Sequence, residues 1–435
     1  MFHRILAITR KTFFYYFLSP AYGIIIFLLL LLPFWCLRLE GDGTALGKFK
    51  IYSTYTFLLA TIILVGTNIF TSCTVLTRDW RRKSIFLLDV KPVKRWEILA
   101  GKWLGIIFLN ITLLAILFFS IFLSSKCLSR YYLPELRGEK NVFLTYQKIL
   151  PSSQKSLPSS EVHSLLPGVG KEKPAEEGKT SYSVLPGAHV TWLFQGIAPT
   201  ENTLILNYKF FTAKKEETKV IGFWIIGDPS SKNLFRYQSE VKAGETHKIR
   251  IPPWTLNDKG ELWVTYFNID PLERSVVFPK EEITLLTPWG NYWLNLIFGE
   301  FLLLLIISFV VFLGITLTTM TSTITGIIGT LVFTSISFAR DILGAFVHFF
   351  VETTGKKTAG VSIYTHFTNG LLTFLKYLLP PLGECLSHNY VGNGIVPPLS
   401  LLGKLFVEVF LLKGLGVFLI GVLYFTRREL GIPNE

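Results

Sequence analysis

The sequence predicts an α-helical polytopic membrane protein of about six transmembrane helices, with an extracytoplasmic all-β sandwich inserted between the third and fourth. Three observations predict it. Half of the 435 residues are hydrophobic and the mean hydropathy is +0.44, more apolar than a soluble protein of this length sustains. The apolar residues gather into long runs within residues 1–125 and 289–435, whereas residues 188–288 alternate apolar and polar. The most basic short loop, Thr77 to Gly105, lies between two of those runs, with eight Lys or Arg against three acids. Lys and Arg beside a span resist translocation, so this loop is expected inside the cell and orients the rest.

Met1 to Ser19 reads as an amphipathic helix. Phe2, Ile5, Leu6, Thr9, Phe13, Tyr16 and Phe17 follow helical spacing, while His3, Arg4, Arg10 and Lys11 gather opposite. Such a helix lies in the bilayer interface. Ser19-Pro20 breaks it, and residues 21–37 form the first span, about 26 Å long at the helical rise. No small-residue cleavage site follows, so the segment reads as a retained anchor. Residues 55–76 are the second span and 103–123 the third, with Trp35, Trp80, Trp103, Tyr22 and Tyr55 near span ends, where amphipathic rings settle.

The loop over residues 77–102 has internal form. Ile85 and Leu88 lie over Trp80 and Arg81 at helical spacing, which predicts a short surface helix from Arg78 to Leu88. Lys91-Pro92 ends it, and a second helix is expected from about Val93 into the third span.

Residues 126–288 change composition. The stretch 126–187, rich in Pro, Ser, Lys and Glu, reads as a linker. In 188–288, Val190, Trp192 and Phe194, then Leu204, Leu206, Tyr208 and Phe210, then His247, Ile249 and Ile251, then Leu262, Val264 and Tyr266 each mark one strand face. Turn signals at Gly196, Gly227-Asp228-Pro229, Ala243-Gly244 and Asp258-Lys259-Gly260 give seven or eight short strands, the pattern of a sandwich. After three spans this domain is expected outside. Residues 289–317 are the fourth span and 324–347 the fifth, interrupted by Arg340-Asp341. Residues 371–382 are too short to cross and stop at Pro380-Pro381, which suggests a re-entrant or interfacial piece. Residues 405–425 are the sixth span, and the basic pair behind it places the C-terminus inside with the N-terminus.

Asp79, Lys83-Ser84-Ile85, Leu87-Leu88, Lys91-Pro92-Val93, Arg95 and Gly101-Lys102 resemble the segment between the second and third spans of ABC-2 type permeases, the membrane subunits of ABC exporters. The opening helix with its Ser-Pro break, the Arg427-Arg428-Glu429-Leu430 ending and a β domain between the third and fourth spans are similar too. Ser84 stands where the family has Thr, and the family's Glu-rich start is mostly Arg here. The resemblance implies a coupling helix seated in a separate cytoplasmic ABC ATPase subunit, with Arg78, Asp79, Arg81, Arg82, Lys83, Leu87, Leu88, Pro92, Arg95, Gly101 and Lys102 at or behind the contact. It also implies a second permease chain, as homodimer or heterodimer, in a bacterial-type cytoplasmic membrane. ATP hydrolysis would then belong to the partner, and no cofactor is expected in this chain.

Catalytic signals are weak. Gly168-Val169-Gly170-Lys171-Glu172 lacks the spacing and the hydroxyl of a phosphate-binding loop, the seven His are isolated, and His247 on its strand suits a hydrogen-bonded core position. The net charge of +13 sits largely at the basic loop and chain ends, where lipid and topology account for it, so nucleic acid is not an expected partner. Four scattered cysteines make no framework, although pairing of Cys127 with Cys385 stays open. The ionisable residues within or beside spans are Glu300, Arg340, Asp341, Glu408 and Lys413. Burying such a charge at mid-bilayer costs about 2.5–3.5 kcal/mol, so each is expected to face a cavity or a partner, and Arg340 and Asp341 are candidates to neutralise each other. Structural and pathway roles both remain open. The rival to a permease is a six-span anchor displaying a β-sandwich for binding or sensing, without transport. A membrane enzyme is the third reading.

Overall fold

The structure is a computed structural model, and it describes residues 2–40, 45–81, 93–128, 144–154, 176–177, 181–200, 202–212, 219–229, 234–340, 370, 374 and 377–427. The chain forms two units, Met1–Phe143 with Tyr292–Glu435, and Leu144–Asn291.

The first unit is helical. α1 (Phe2–Phe17) and α2 (Pro20–Cys36) meet at a bend of 70°. Pro20 is the first residue of α2, where its missing N–H is not needed and its fixed φ suits the helix. α3 (Ala45–Arg81) is a single helix of 37 residues, roughly 55 Å at the helical rise. Residues 78–81 continue α3, so the surface helix expected to begin at Arg78 does not start there. Residues 82–88, the remainder of that helix, and the Lys91-Pro92 break lie outside the described residues. α4 (Arg95–Cys127) begins two residues later than the Val93 expected, because the backbone N–H of Lys94 donates to Glu97 Oε2 at 3.1 Å and closes the first turn at Lys94.

α5 (Tyr292–Met320) is followed by α6 (Thr323–Phe338), whose N-cap Ser322 accepts from the Thr325 N–H. The short α7 (Ser387–Val391) precedes α8 (Leu399–Leu405), which runs through a π-helical segment (Phe406–Gly414) into α9 (Leu415–Arg427). Among the described residues, α3, α4, α5 and the continuous α8–π–α9 rod are long and apolar enough to cross a bilayer; the bent α1–α2 pair, counted as one, makes five. Six were expected. α6 has only 16 residues, and residues 341–347 of the expected fifth span lie outside the described set, as do most of 371–376.

Fully buried Phe57, Leu64, Leu109, Leu113, Ile307 and Val311 knit α3, α4 and α5 together. Amid these apolar contacts Asn68 and Asn110 face each other, each amide donating to the other's oxygen at 2.8 and 2.7 Å. A polar pair in such surroundings fixes the register of two helices, because a slip takes from each amide oxygen its donor across the interface, even though each Nδ2 keeps a carbonyl of its own helix. The four cysteines are free thiols, so Cys127 and Cys385 are not bridged.

The second unit is built of antiparallel strands: β1 (Leu144–Ile149), β2 (Ser153–Gln154), β3 (Glu176–Glu177), β4 (Ser181–Val184), β5 (His189–Phe194), β6 (Leu204–Lys209), β7 (Phe211–Thr212), β8 (Val220–Ile226), β9 (Phe235–Val241), β10 (Thr246–Ile251), β11 (Leu262–Asn268), β12 (Val276–Pro279) and β13 (Thr284–Asn291). Within this unit one sheet runs β10-β6-β13-β1, the second β2-β5-β11-β8-β9 and the third β3-β4-β12-β7. They share a core in which Trp192, Trp224, Tyr208, Tyr266 and Phe278 meet ring to ring.

Two features depart from expectation. Strands β1 to β4 lie inside the stretch read as a linker, and β1 pairs along its length with β13. Its sequence, LTYQKI, alternates only over Leu144 to Gln147 before Lys148 and Ile149 break the pattern, and Pro- and Ser-rich residues follow it. β5 is buried at all six positions rather than on one face, since Thr191 and His189 on its second face are covered as well.

Candidate functional site

The expected coupling residues divide into an inward set and an outward set. Lys102 and Asp79 form an ion pair buried between α4 and α3, and Lys102 Nζ also donates to the Val75 carbonyl at 3.1 Å. Arg78, one residue from that pair, lays its guanidinium over the rings of Tyr15 and Tyr16, 3.3 and 4.8 Å from their centroids. Arg95 Nη1 donates to the carbonyls of Phe425 and Thr426, each at 3.3 Å, and so caps the C-terminal end of α9. Arg81 faces outward, with Lys94 beyond it at the other side of the loop. Arg82, Lys83, Leu87, Leu88 and Pro92 lie outside the described residues.

Gly101 and Gly105 make room for α1. A Cβ on Gly101 would lie 2.8 Å from Ile8 Cβ, and one on Gly105 would lie 2.7 Å from Thr12 Cβ and 2.9 Å from the Thr9 carbonyl. Glycines four apart let two helices approach backbone to backbone. Thr9 Oγ1 donates to the Gly101 carbonyl at 3.1 Å across this seam. The apolar arc of α1 is therefore divided: Thr9, Thr12 and Tyr16 are buried, whereas Phe2 is 74% and Leu6 49% exposed beside Arg10 and Lys11. Ile8, Thr9 and Thr12 are the residues of α1 that lie against the two glycines of α4.

A second cluster gathers three of the five ionisable candidates. Glu408 Oε1 accepts from Lys413 Nζ at 2.7 Å and from Arg340 Nη1 at 3.3 Å, and both cations also donate to the Leu379 carbonyl, at 2.7 and 3.3 Å. Leu379 offers that oxygen because Pro380-Pro381 interrupts the backbone directly after it. Arg340 is thus partnered by Glu408; Asp341 lies outside the described residues. Three interrupted stretches meet here: the end of α6, the Pro-Pro break and the π segment. Glu300 stands apart on α5, and its Oε1 has no hydrogen-bond partner among the described residues.

Sequence reasoning overlooked Asn295 and His388. Among the described residues, Asn295, fully buried on α5, has no hydrogen-bond partner for either amide atom, and His388 Nδ1 on α7 has none either. Ser387 Oγ ties α7 to the Gly299 carbonyl at 2.5 Å. The only signal for α7 was a polar SHN triplet behind the Pro-Pro break.

In the β unit, His247 is half-buried and its Nε2 lies 2.7 Å from the Lys242 carbonyl, beside the ring of Tyr208. Arg274 grips Asp270 through two hydrogen bonds of 2.7 and 2.9 Å, and these hold the Asp270 carboxyl below its ordinary pKa against the opposing effect of burial. Burial pushes the Tyr208 phenol up to about 12. No group of three or more His, Cys, Asp or Glu converges among the described residues in a way that could hold a metal ion.

No known family profile matches the chain, and no curated protein does. Two solved structures are similar to part of it. TmCBM61, in complex with beta-1,4-galactotriose, is 10% identical over 33% of this chain and 88% of that one, with a TM-score of 0.16. The GH115 4-O-methyl-alpha-glucuronidase BtGH115A, with specificity for decorated arabinogalactans, is 10% identical over 45% of this chain and 29% of that one, with a TM-score of 0.18. Likenesses this slight carry no weight for function.

Proposed function

We propose that the chain is the membrane-spanning permease subunit of an ABC-2 type transporter, an exporter driven by a separate cytoplasmic ATPase subunit and completed by a second permease chain. The reading rests first on the sequence of the basic loop. One structural observation supports it: the two helices that flank the loop are locked to each other by the Lys102–Asp79 pair, and α4 is held to α1 by the glycine seam, while Arg81 and Lys94 stay exposed at the loop's ends. A loop that passes mechanical work to spans needs a stiff base and a charged outer surface, and this one has both.

The outward set and not the inward set then carries the docking. Arg81→Glu with Lys94→Glu is expected to abolish co-purification with a Walker-motif ATPase, and with it ATP-driven export, while the protein still inserts. Undiminished association of that double variant with the ATPase would remove the coupling role. Arg95 is unsuited to this test, because reversing its charge also strips the cap from α9.

A further inference from the structure

The last long helix changes its hydrogen-bond repeat in the middle. Phe406–Gly414 is π-helical between α8 and α9, nine residues in a geometry that is rare and recurs at functional positions. Glu408 and Lys413 are five residues apart in it. On an α-helix at 3.6 residues per turn, five residues leave two side chains roughly 140° apart around the axis. On an i to i+5 repeat they close about one turn and meet, and Lys413 Nζ lies 2.7 Å from Glu408 Oε1. The ion pair forms because the segment is π-helical, and in turn it favours that geometry over the α form. Arg340 and the Leu379 carbonyl complete the ring around it.

What lies downstream depends on the same geometry. Removing the extra residue from the repeat rotates everything beyond it by about 100°. α9 is held in its present rotation at two levels: Thr316 Oγ1 donates to the Val417 carbonyl at 3.1 Å, and Arg95 Nη1 takes the carbonyls of Phe425 and Thr426. We propose that Glu408 and Lys413 are positioning residues that latch the last long helix in its π register, and that this register sets the rotation at which α9 presents its terminal carbonyls to Arg95 at the start of α4. The Glu408 cluster and the loop preceding Arg95 are then two ends of one two-state element, and a change at either end shifts the other. The device exists whether or not an ATPase binds, so its failure would leave the permease reading standing.

The rotation is measurable in the full-length chain in lipid nanodiscs, with the four native cysteines replaced by Ser, by electron-electron distance spectroscopy between spin labels at L331C on α6 and L423C on α9, both more than half exposed. Lys413→Arg keeps the pair and is expected to reproduce the parent's single distance. Lys413→Met and Glu408→Gln are each expected to displace the distribution or add a second peak, by up to about 8 Å for a side chain carried around a helix of this diameter. Glu408→Gln keeps the side-chain volume and serves if Lys413→Met does not purify. Arg340→Gln removes only the second cation and is expected to leave the distance in place. An unchanged distance in both Lys413→Met and Glu408→Gln, or an equal displacement in Arg340→Gln, would overturn the latch.

Discussion

Lys102 and Asp79 are bonded to each other inside the protein, between α4 and α3. Both belong to the loop whose charges the sequence assigns to a partner. Removing one member leaves the other charged and buried, which costs about 3–5 kcal/mol, whereas removing both is far milder. Lys102→Met and Asp79→Asn are each expected to lower the melting temperature of the purified protein sharply, and the double variant to recover most of the loss. Additive losses in the double variant would show that the two residues do not act as a pair.

The glycine seam makes a second prediction. Gly105→Leu places bulk where even a Cβ meets Thr12 at 2.7 Å, and overpacking of this kind costs about 1–3 kcal/mol. α1 is expected to leave α4, so a cysteine at Thr9, buried in the parent, becomes reactive to a thiol reagent. A Thr9→Cys thiol that stays protected in Gly105→Leu would mean that α1 is held by other contacts.

Asn68 and Asn110 invite a double-mutant cycle. Interhelical hydrogen bonds among apolar helices average about 0.6 kcal/mol and reach about 1.7. With two reciprocal bonds of 2.7 and 2.8 Å, Asn68→Leu and Asn110→Leu are expected to couple near the upper end of that range. Coupling indistinguishable from zero would contradict the pairing.

In the β unit the pH dependence has a definite sign. The folded-state pKa of Asp270 is depressed, chiefly by the hydrogen bonds from Arg274. Its contribution is therefore complete above the unfolded value, about 3.9, and is lost as pH falls through the lower folded value. Thermal stability followed by Trp fluorescence is expected to lose this increment only below about pH 4. Asp270→Asn, less stable at neutral pH, should be flatter over that acid range. A parent and variant with parallel acid limbs would exclude the carboxylate as the titrating group.

The sequence conveyed the elements better than the roles of their residues. Span-length apolar runs were plain because nothing but a bilayer or a large core tolerates them, and the Ser19-Pro20 bend followed from proline's fixed backbone. The end of α3 was not legible: Arg78 to Arg81 look like the start of a surface helix, yet Arg78 lies over two aromatic rings and Asp79 pairs with a buried lysine that only the fold brings near. Gly101 belongs to the stretch that resembles the permeases, but the physical reason for it is its spacing of four from Gly105, which only the approach of α1 makes meaningful. Glu408 and Lys413 were recognised singly as misplaced charges. Their separation of five, which suits a π-helix and not an α-helix, was the signal that they belong together. β1 was not legible, because its alternation lasts only from Leu144 to Gln147 and cannot outweigh a Pro-rich context.

The permease reading requires that the loop between α3 and α4 lie inside the cell. Lys94→Cys, at an exposed position next to the Arg95 cap and in a chain whose four native cysteines are replaced by Ser, tests this most directly with a membrane-impermeant maleimide and detection of labelled full-length protein. No labelling in intact cells and full labelling after permeabilisation is the predicted result, and labelling of intact cells would contradict it.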